Sequence, residues 1–257
     1  MAVLTRRCGA GPTIPGMRSL LPLALLALLP ACAPAYTAPT GDAAFRAAFS
    51  SAGVAWVSGG RACVARVPDY RPVCPRLGRA VDVAWNGGDA WAAVPGAGLA
   101  VTLDRAARSV PAGAVAALSC ALIYRQDGST LSYEGVAAGQ VAGGPSAAVT
   151  GGDGAEYVVL AGQLWRGSAV VEAAAQPYLY ATAAGAATAA APTAVSSAGD
   201  TYRLQGGQLE RADTSGRVTA RIPHGPGRVG VVGQDIVTVS AAGEIRRYTQ
   251  ALAPLAP

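Results

Sequence analysis

The sequence predicts an all-β fold assembled from repeated antiparallel hairpins, and three observations predict it. Short β-type segments recur along most of the chain, each punctuated by glycine or aspartate turns. Charged residues make up only 14% of the 257, below the ~25% of typical globular chains. Alanine, glycine and valine fill that deficit, and small side chains suit closely packed sheets better than a bundle of large-residue helices.

At the N-terminus, Arg18 precedes an uncharged apolar run from Ser19 to Ala31 that ends in Leu28-Leu29-Pro30-Ala31-Cys32. A basic start, an apolar stretch and a small residue before a cut form a secretory signal. The run is shorter than the ~20 residues a spanning helix needs, and Pro22 and Pro30 interrupt it. Leu29, Ala31 and Cys32 make the segment resemble a bacterial lipoprotein signal peptide. That resemblance implies residues 1–31 are removed and Cys32 is lipidated as the mature N-terminus. Met17 gives a more compact signal than Met1, whose prefix carries the stray Cys8. Residues 32–41 are a Pro/Ala/Thr tether. In two-membrane bacteria such signals with Ala33, rather than Asp, after the cysteine imply an outer-membrane or cell-surface destination outside the cytoplasm. The partner so implied is the membrane itself, held through the lipid.

The formal charge of +5 falls to about +2 once Arg6, Arg7 and Arg18 are removed, with 17 arginines facing 15 acids. The arginines are scattered, which argues against nucleic-acid binding. The chain contains no lysine, so Schiff-base, phosphate-loop and Ser-x-x-Lys chemistries are excluded.

Asp42 to Gly53 reads as one short helix, with Asp42 as cap, Phe45 and Phe49 on one face and Gly53 at the end. From residue 54 to 250 hairpins follow one another. Cys63 and Cys74 flank a turn near Pro68-Asp69, equidistant from it, and so are placed to form a disulfide. Hairpins then span 89–104, 121–133, 156–166, 201–211 and 235–247, with turn glycines Gly98, Gly128, Gly162, Gly207 and Gly243 spaced by 30, 34, 45 and 36 residues. Small-residue strands at 80–85, 114–118 and 228–232 precede three of them. Ala181 to Ala194, inside the longest interval, reads as an inserted loop or a degenerate strand. Residues 251–257 are a tail.

Strand, turn and hairpin at a period of roughly 35 residues describe a propeller blade. Residues 54–250 resemble bacterial β-propeller proteins of the extracytoplasmic kind. The expected fold is therefore a small β-propeller-like array of five or six short blades, with a β-sandwich as the alternative. Alanine and glycine in each first strand fit the crowded axis where innermost strands converge.

Catalytic candidates are few. His224 is the one histidine and sits in the turn-like Ile222-Pro223-His224-Gly225-Pro226-Gly227. No Gly-x-Ser-x-Gly elbow is present. Asp82, Asp89, Asp104, Asp153, Glu156 and Asp235 recur near turns, where aspartate serves the backbone. Cys120 lies in an apolar run and reads as a buried free thiol. No cofactor, no metal site and no catalytic residue is assigned. Trp85, Trp91 and Trp165 are the candidates for stacking a ligand if they meet at one mouth of the propeller; otherwise, with Trp56, they fill gaps between blades. The expected function is a non-catalytic binding or scaffold module that shows a propeller face to an envelope protein partner. The alternatives are an extracytoplasmic propeller hydrolase or lactonase, and a sugar-binding protein.

Overall fold

The computed structural model describes residues 44–104 and 107–256. The expected signal peptide and tether, Cys32 and the expected helix cap Asp42 lie outside the described residues.

Seven antiparallel meanders succeed one another along the chain. Blade 1 holds β1 (Arg46–Ser50), β2 (Gly53–Ser58), β3 (Arg61–Arg66) and β4 (Pro72–Val73). Blade 2 holds β5 (Asp82–Asn86), β6 (Asp89–Val94), β7 (Leu99–Thr102) and β8 (Ser109–Pro111). Blade 3 holds β9 (Val115–Leu118), β10 (Ile123–Arg125), β11 (Ser129–Leu131) and β12 (Ala137–Gln140). Blade 4 holds β13 (Ala147–Thr150), β14 (Glu156–Leu160), β15 (Gln163–Arg166) and β16 (Ala169–Glu172). Blade 5 has two strands, β17 (Tyr178–Thr182) and β18 (Gly185–Ala189). Blade 6 holds β19 (Thr193–Val195), β20 (Thr201–Gln205), β21 (Gln208–Ala212) and β22 (Val218–Pro223). Blade 7 has three, β23 (Arg228–Val232), β24 (Asp235–Val239) and β25 (Ile245–Tyr248).

The first strands of neighbouring blades touch all the way round, β1 against β5, β9, β13, β17, β19 and β23 in turn and β23 against β1 again. The ring is closed, and the fold is a β-propeller. Among the described residues it has seven blades where five or six were expected. The extra blade is the Ala181–Ala194 stretch, which forms most of the β17–β18 hairpin and the loop after it. Its side chains, mostly Ala and Thr with Leu179 and two tyrosines, bury too little to announce a blade.

The expected helix over 42–53 is also corrected. Residues 46–50 form β1, paired residue for residue with β2 from Arg46↔Val57 to Ser50↔Gly53. An i, i+4 pair of phenylalanines lies on one face of a strand as well as of a helix, and tertiary pairing chose the strand. Gly53 opens β2 with φ 142°, and a Cβ there would stand 2.1 Å from the Ala65 carbonyl oxygen.

Buried clusters fill six of the seven seams. Trp85 packs between blades 1 and 2, Trp91 with Tyr133 between 2 and 3, and Tyr124 with Val158 between 3 and 4. Tyr157 and Leu164 meet Leu179 between 4 and 5, Tyr202 and Ile236 close 6 onto 7, and Trp56 and Val237 close 7 onto 1. No such cluster joins blades 5 and 6 among the described residues. Residues 251–256 do not trail away: Pro254 bridges Tyr248 and the Leu255 N–H bonds the Arg247 carbonyl at 2.9 Å, extending blade 7.

The disulfide Cys63–Cys74 is formed. Register explains it, because Val64 opposes Val73 and Ala65 opposes Pro72, which brings the next residues outward face to face.

Candidate functional site

The concave places among the described residues include the central channel and a groove on the outer rim. The channel, about 360 Å³, is walled by the first strands of the blades. Alanine and valine are the commonest wall residues; the charged ones are Arg46, Asp82 and Arg228, and Ser119, Cys120, Thr150, Tyr178, Tyr180 and Thr193 add the uncharged polar groups.

Asp82 begins β5 and accepts the Val83 N–H at 2.9 Å and the Leu118 N–H at 2.8 Å, so it ties blade 2 to blade 3. Burial raises its pKa, with Arg46 nearby and the two N–H donors pulling the other way. Arg46 donates to the Ser146 carbonyl at 2.9 Å, joining blades 1 and 4 across the wall. Arg228 is buried, donates to the carbonyls of Gly227 (3.0 Å) and Phe45 (2.6 Å), and stacks over the rings of Phe45 and Tyr178. The charged channel groups Arg46, Asp82 and Arg228 are thus each engaged with the wall, and the arrangement holds blades together.

Cys120 departs from expectation: it is exposed, not buried. It follows Leu118-Ser119 where the chain leaves β9, and the turn lifts it out of the blade's apolar run. Wall atoms still crowd its sulfur, and that burial raises the thiol pKa against a hydrogen bond with Thr150. The thiolate that a nucleophile needs is disfavoured.

The tryptophans do not gather. Trp85 donates its Nε1–H to the Ala48 carbonyl at 3.0 Å across the blade 1–2 seam. Trp91 is 1% exposed under the Arg108 guanidinium and against Tyr133. Trp165 packs half-buried at the blade 3–4 seam. Each lies in a different seam, so the stacking role expected for Trp85, Trp91 and Trp165 is corrected to gap filling between alanine-rich sheets. His224 precedes β23; its Nδ1–H donates to Gly225 at 2.6 Å and its Nε2 lies 2.9 Å from Thr238 Oγ1. Among the described residues, no three His, Cys, Asp or Glu side chains come together as metal ligands.

The rim is more open. A groove of about 680 Å³ runs along blade 7 between the blade 6 edge, the 69–72 loop and the C-terminal residues. Tyr70, Ile222, Ile245, Tyr248 and Leu255 line it beside Arg246 and Arg247. Arg247 spans it, pairing with Asp235 at 2.7 Å and covering the Tyr70 ring. The sequence held no signal for this groove, because its walls come from three separated stretches.

Comparison with known proteins adds to the fold alone. No protein-family model matches the chain, and no curated protein matches it. Solved structures do. A chain of the mitotic checkpoint complex aligns at TM-score 0.56 and 12% identity, over 82% of this chain and 92% of that one. Streptogramin B lyase aligns at 0.43 and 13%, over 82% and 81%. BamB from Moraxella catarrhalis aligns at 0.41 and 13%, over 79% and 84%. The similarity is one of β-propeller architecture.

Proposed function

We propose that this chain is a lipid-anchored protein of the cell envelope whose propeller binds a protein partner and performs no chemistry. The observation that carries the reading is the division of labour between channel and rim. The charged side chains that reach the channel are held by the wall, Asp82 by two N–H donors, Arg228 by two carbonyls and Arg46 by one. The rim instead offers tyrosine and arginine beside isoleucine in an open groove, and tyrosine and arginine are enriched where proteins meet. The lipoprotein-like Leu29–Cys32 segment and a disulfide suited to an oxidising compartment support the location.

The test uses the tagged full chain in its host. Cys32→Ser should abolish incorporation of an alkynyl fatty acid and release the protein from the membrane fraction. In-cell crosslinking of the wild type should return one reproducible envelope protein. Labelling that survives Cys32→Ser defeats the anchor, and a purified protein that turns over an ester, lactone or glycan substrate defeats the non-catalytic reading.

A further inference from the structure

Blade 5 stops after its second strand, while the blades on either side continue to a fourth. The result is a slot two strands wide, about 10 Å deep, floored by the outer edge of β18 and walled by blades 4 and 6; at one end the Thr188 hydroxyl donates to Glu172 and accepts the Gln176 N–H, each at 2.7 Å. No hydrogen bond or ion pair between described residues of those two blades crosses it.

The edge of β18 is set out for pairing. The hairpin is closed by the two-residue turn Ala183-Ala184, with Thr182 opposite Gly185. Bonded pairs then alternate along the ladder, so Thr182↔Gly185, Tyr180↔Ala187 and Tyr178↔Ala189 exchange hydrogen bonds. Ala186 and Thr188 belong to the intervening pairs and turn their N–H and C=O groups into the slot, where no described residue bonds them.

Every other outermost strand carries a device that discourages pairing. Strand β4 is two residues with Pro72, and β8 is three residues ending in Pro111. Bulges disrupt the pairing of β12, β16 and β22. The C-terminal residues cover part of β25. Strand β18, Gly-Ala-Ala-Thr-Ala, has no proline, no charge and no bulge.

The walls differ in character. Tyr157, Val159 and Leu164 of blade 4 form the apolar cluster that already holds Leu179 and Ala186. On blade 6, Tyr202 and Leu204 face blade 7, so strand alternation turns Arg203, Glu210 and Arg221 toward blade 5. Glu210 is occupied by Arg221 at 2.8 Å and by the Gln205 amide at 2.8 Å. The Arg203 side chain, half-buried on β20, makes no hydrogen bond or ion pair with a described residue.

We propose that the blade 5 slot takes an extended segment of a partner protein, which adds to β18 as a third strand with apolar residues toward blade 4 and an acidic residue toward Arg203. A second copy of this chain is a poor occupant, because its own β18 is recessed by the same two strand widths. The inference rests on the partner-binding reading and gives it a location and a mode of recognition.

The test places a photo-crosslinking residue in the full chain, in its host, at Arg166 or Arg221 on the two walls, and at exposed Val136 on blade 3 as a control. The two wall positions should attach to the same stretch of one partner, an alternating segment containing an acid. Ala186→Pro removes an N–H that β17 does not use, so the blade keeps its ladder. That variant, and Arg203→Glu, should lower adduct yield at least tenfold, while Arg203→Lys keeps it. In the isolated complex, amide exchange at Ala186 and Thr188 should slow at least tenfold. Adducts at Val136 but none in the slot, or slot adducts indifferent to Ala186→Pro, overturn strand addition and leave the binding module standing. Absence of adducts at all three positions overturns both.

Discussion

Closure of the ring depends on a glycine, and substituting it measures how tightly blade 7 meets blade 1. Gly230 of β23 lies against Phe49 of β1; a Cβ on it would stand 2.0 Å from Phe49 Cγ and 2.6 Å from Phe49 Cβ. Unbonded carbons settle at ~3.5–4.0 Å, so Gly230→Ala forces the root of the phenyl ring away by about 1.5 Å. The ring cannot yield by swinging its tip, because the clash is at its base. Overpacking of this kind costs about 2–3 kcal/mol, which for a domain this size lowers Tm by about 4–12 °C. Phe49→Ala alone should cost about 2 kcal/mol, less than a fully buried phenylalanine, since Phe49 is only half-buried. In the double variant the new methyl meets empty space. Urea unfolding of Cys32→Ser protein carrying each change should therefore show the double variant close to Phe49→Ala alone, a coupling of about 2–3 kcal/mol. If the two costs simply add, Phe49 does not pack on Gly230 and the seam is not closed as described.

Three further outcomes follow from individual contacts. Replacing Cys63 and Cys74 by alanine opens a loop of sequence separation 11 and should lower stability by about 3 kcal/mol in the chain-entropy account, read as a matching loss when wild type is melted in reductant. Asp82 has its pKa raised in the folded protein, mainly by burial, so the native state holds its proton more tightly than the unfolded chain. Its contribution is present below the unfolded value near pH 4 and is lost as pH rises through the folded value. Subtracting the Asp82→Asn stability profile from wild type should leave a curve that falls from about pH 4 upward, and a rising curve contradicts the assignment. Trp85→Phe breaks the indole bond to Ala48, whereas the Trp91 N–H has no partner to lose. By chemical denaturation, Trp85→Phe should cost about 1 kcal/mol more than Trp91→Phe.

Much of the fold was legible because hairpins are local. Glu156–Leu160 with Gln163–Arg166, and Arg228–Val232 before Asp235–Val239, lie where alternation and turn glycines put them, and the facing of Cys63 and Cys74 follows from counting out from one turn. Signals failed where two structures satisfy one pattern. Phe45 and Phe49 are equally at home on a helix face or a strand face, and only the partner strand β2 decides between them. The tryptophans failed differently. Sequence gives their number, but whether Trp85, Trp91 and Trp165 converge depends on which seams their blades form.

What the sequence alone determined is the repeated hairpin and the disulfide pairing, both of which depend on residues near one another in the chain. Blade number, ring closure and the two open places on the rim were decided only in three dimensions. Blade 5 is a blade because β13 and β19 flank it, since its own alanines bury too little surface to declare it. The blade 7 groove and the blade 5 slot exist because neighbouring sheets outreach a short one. That is a relation between distant segments, and no local stretch of the chain encodes it.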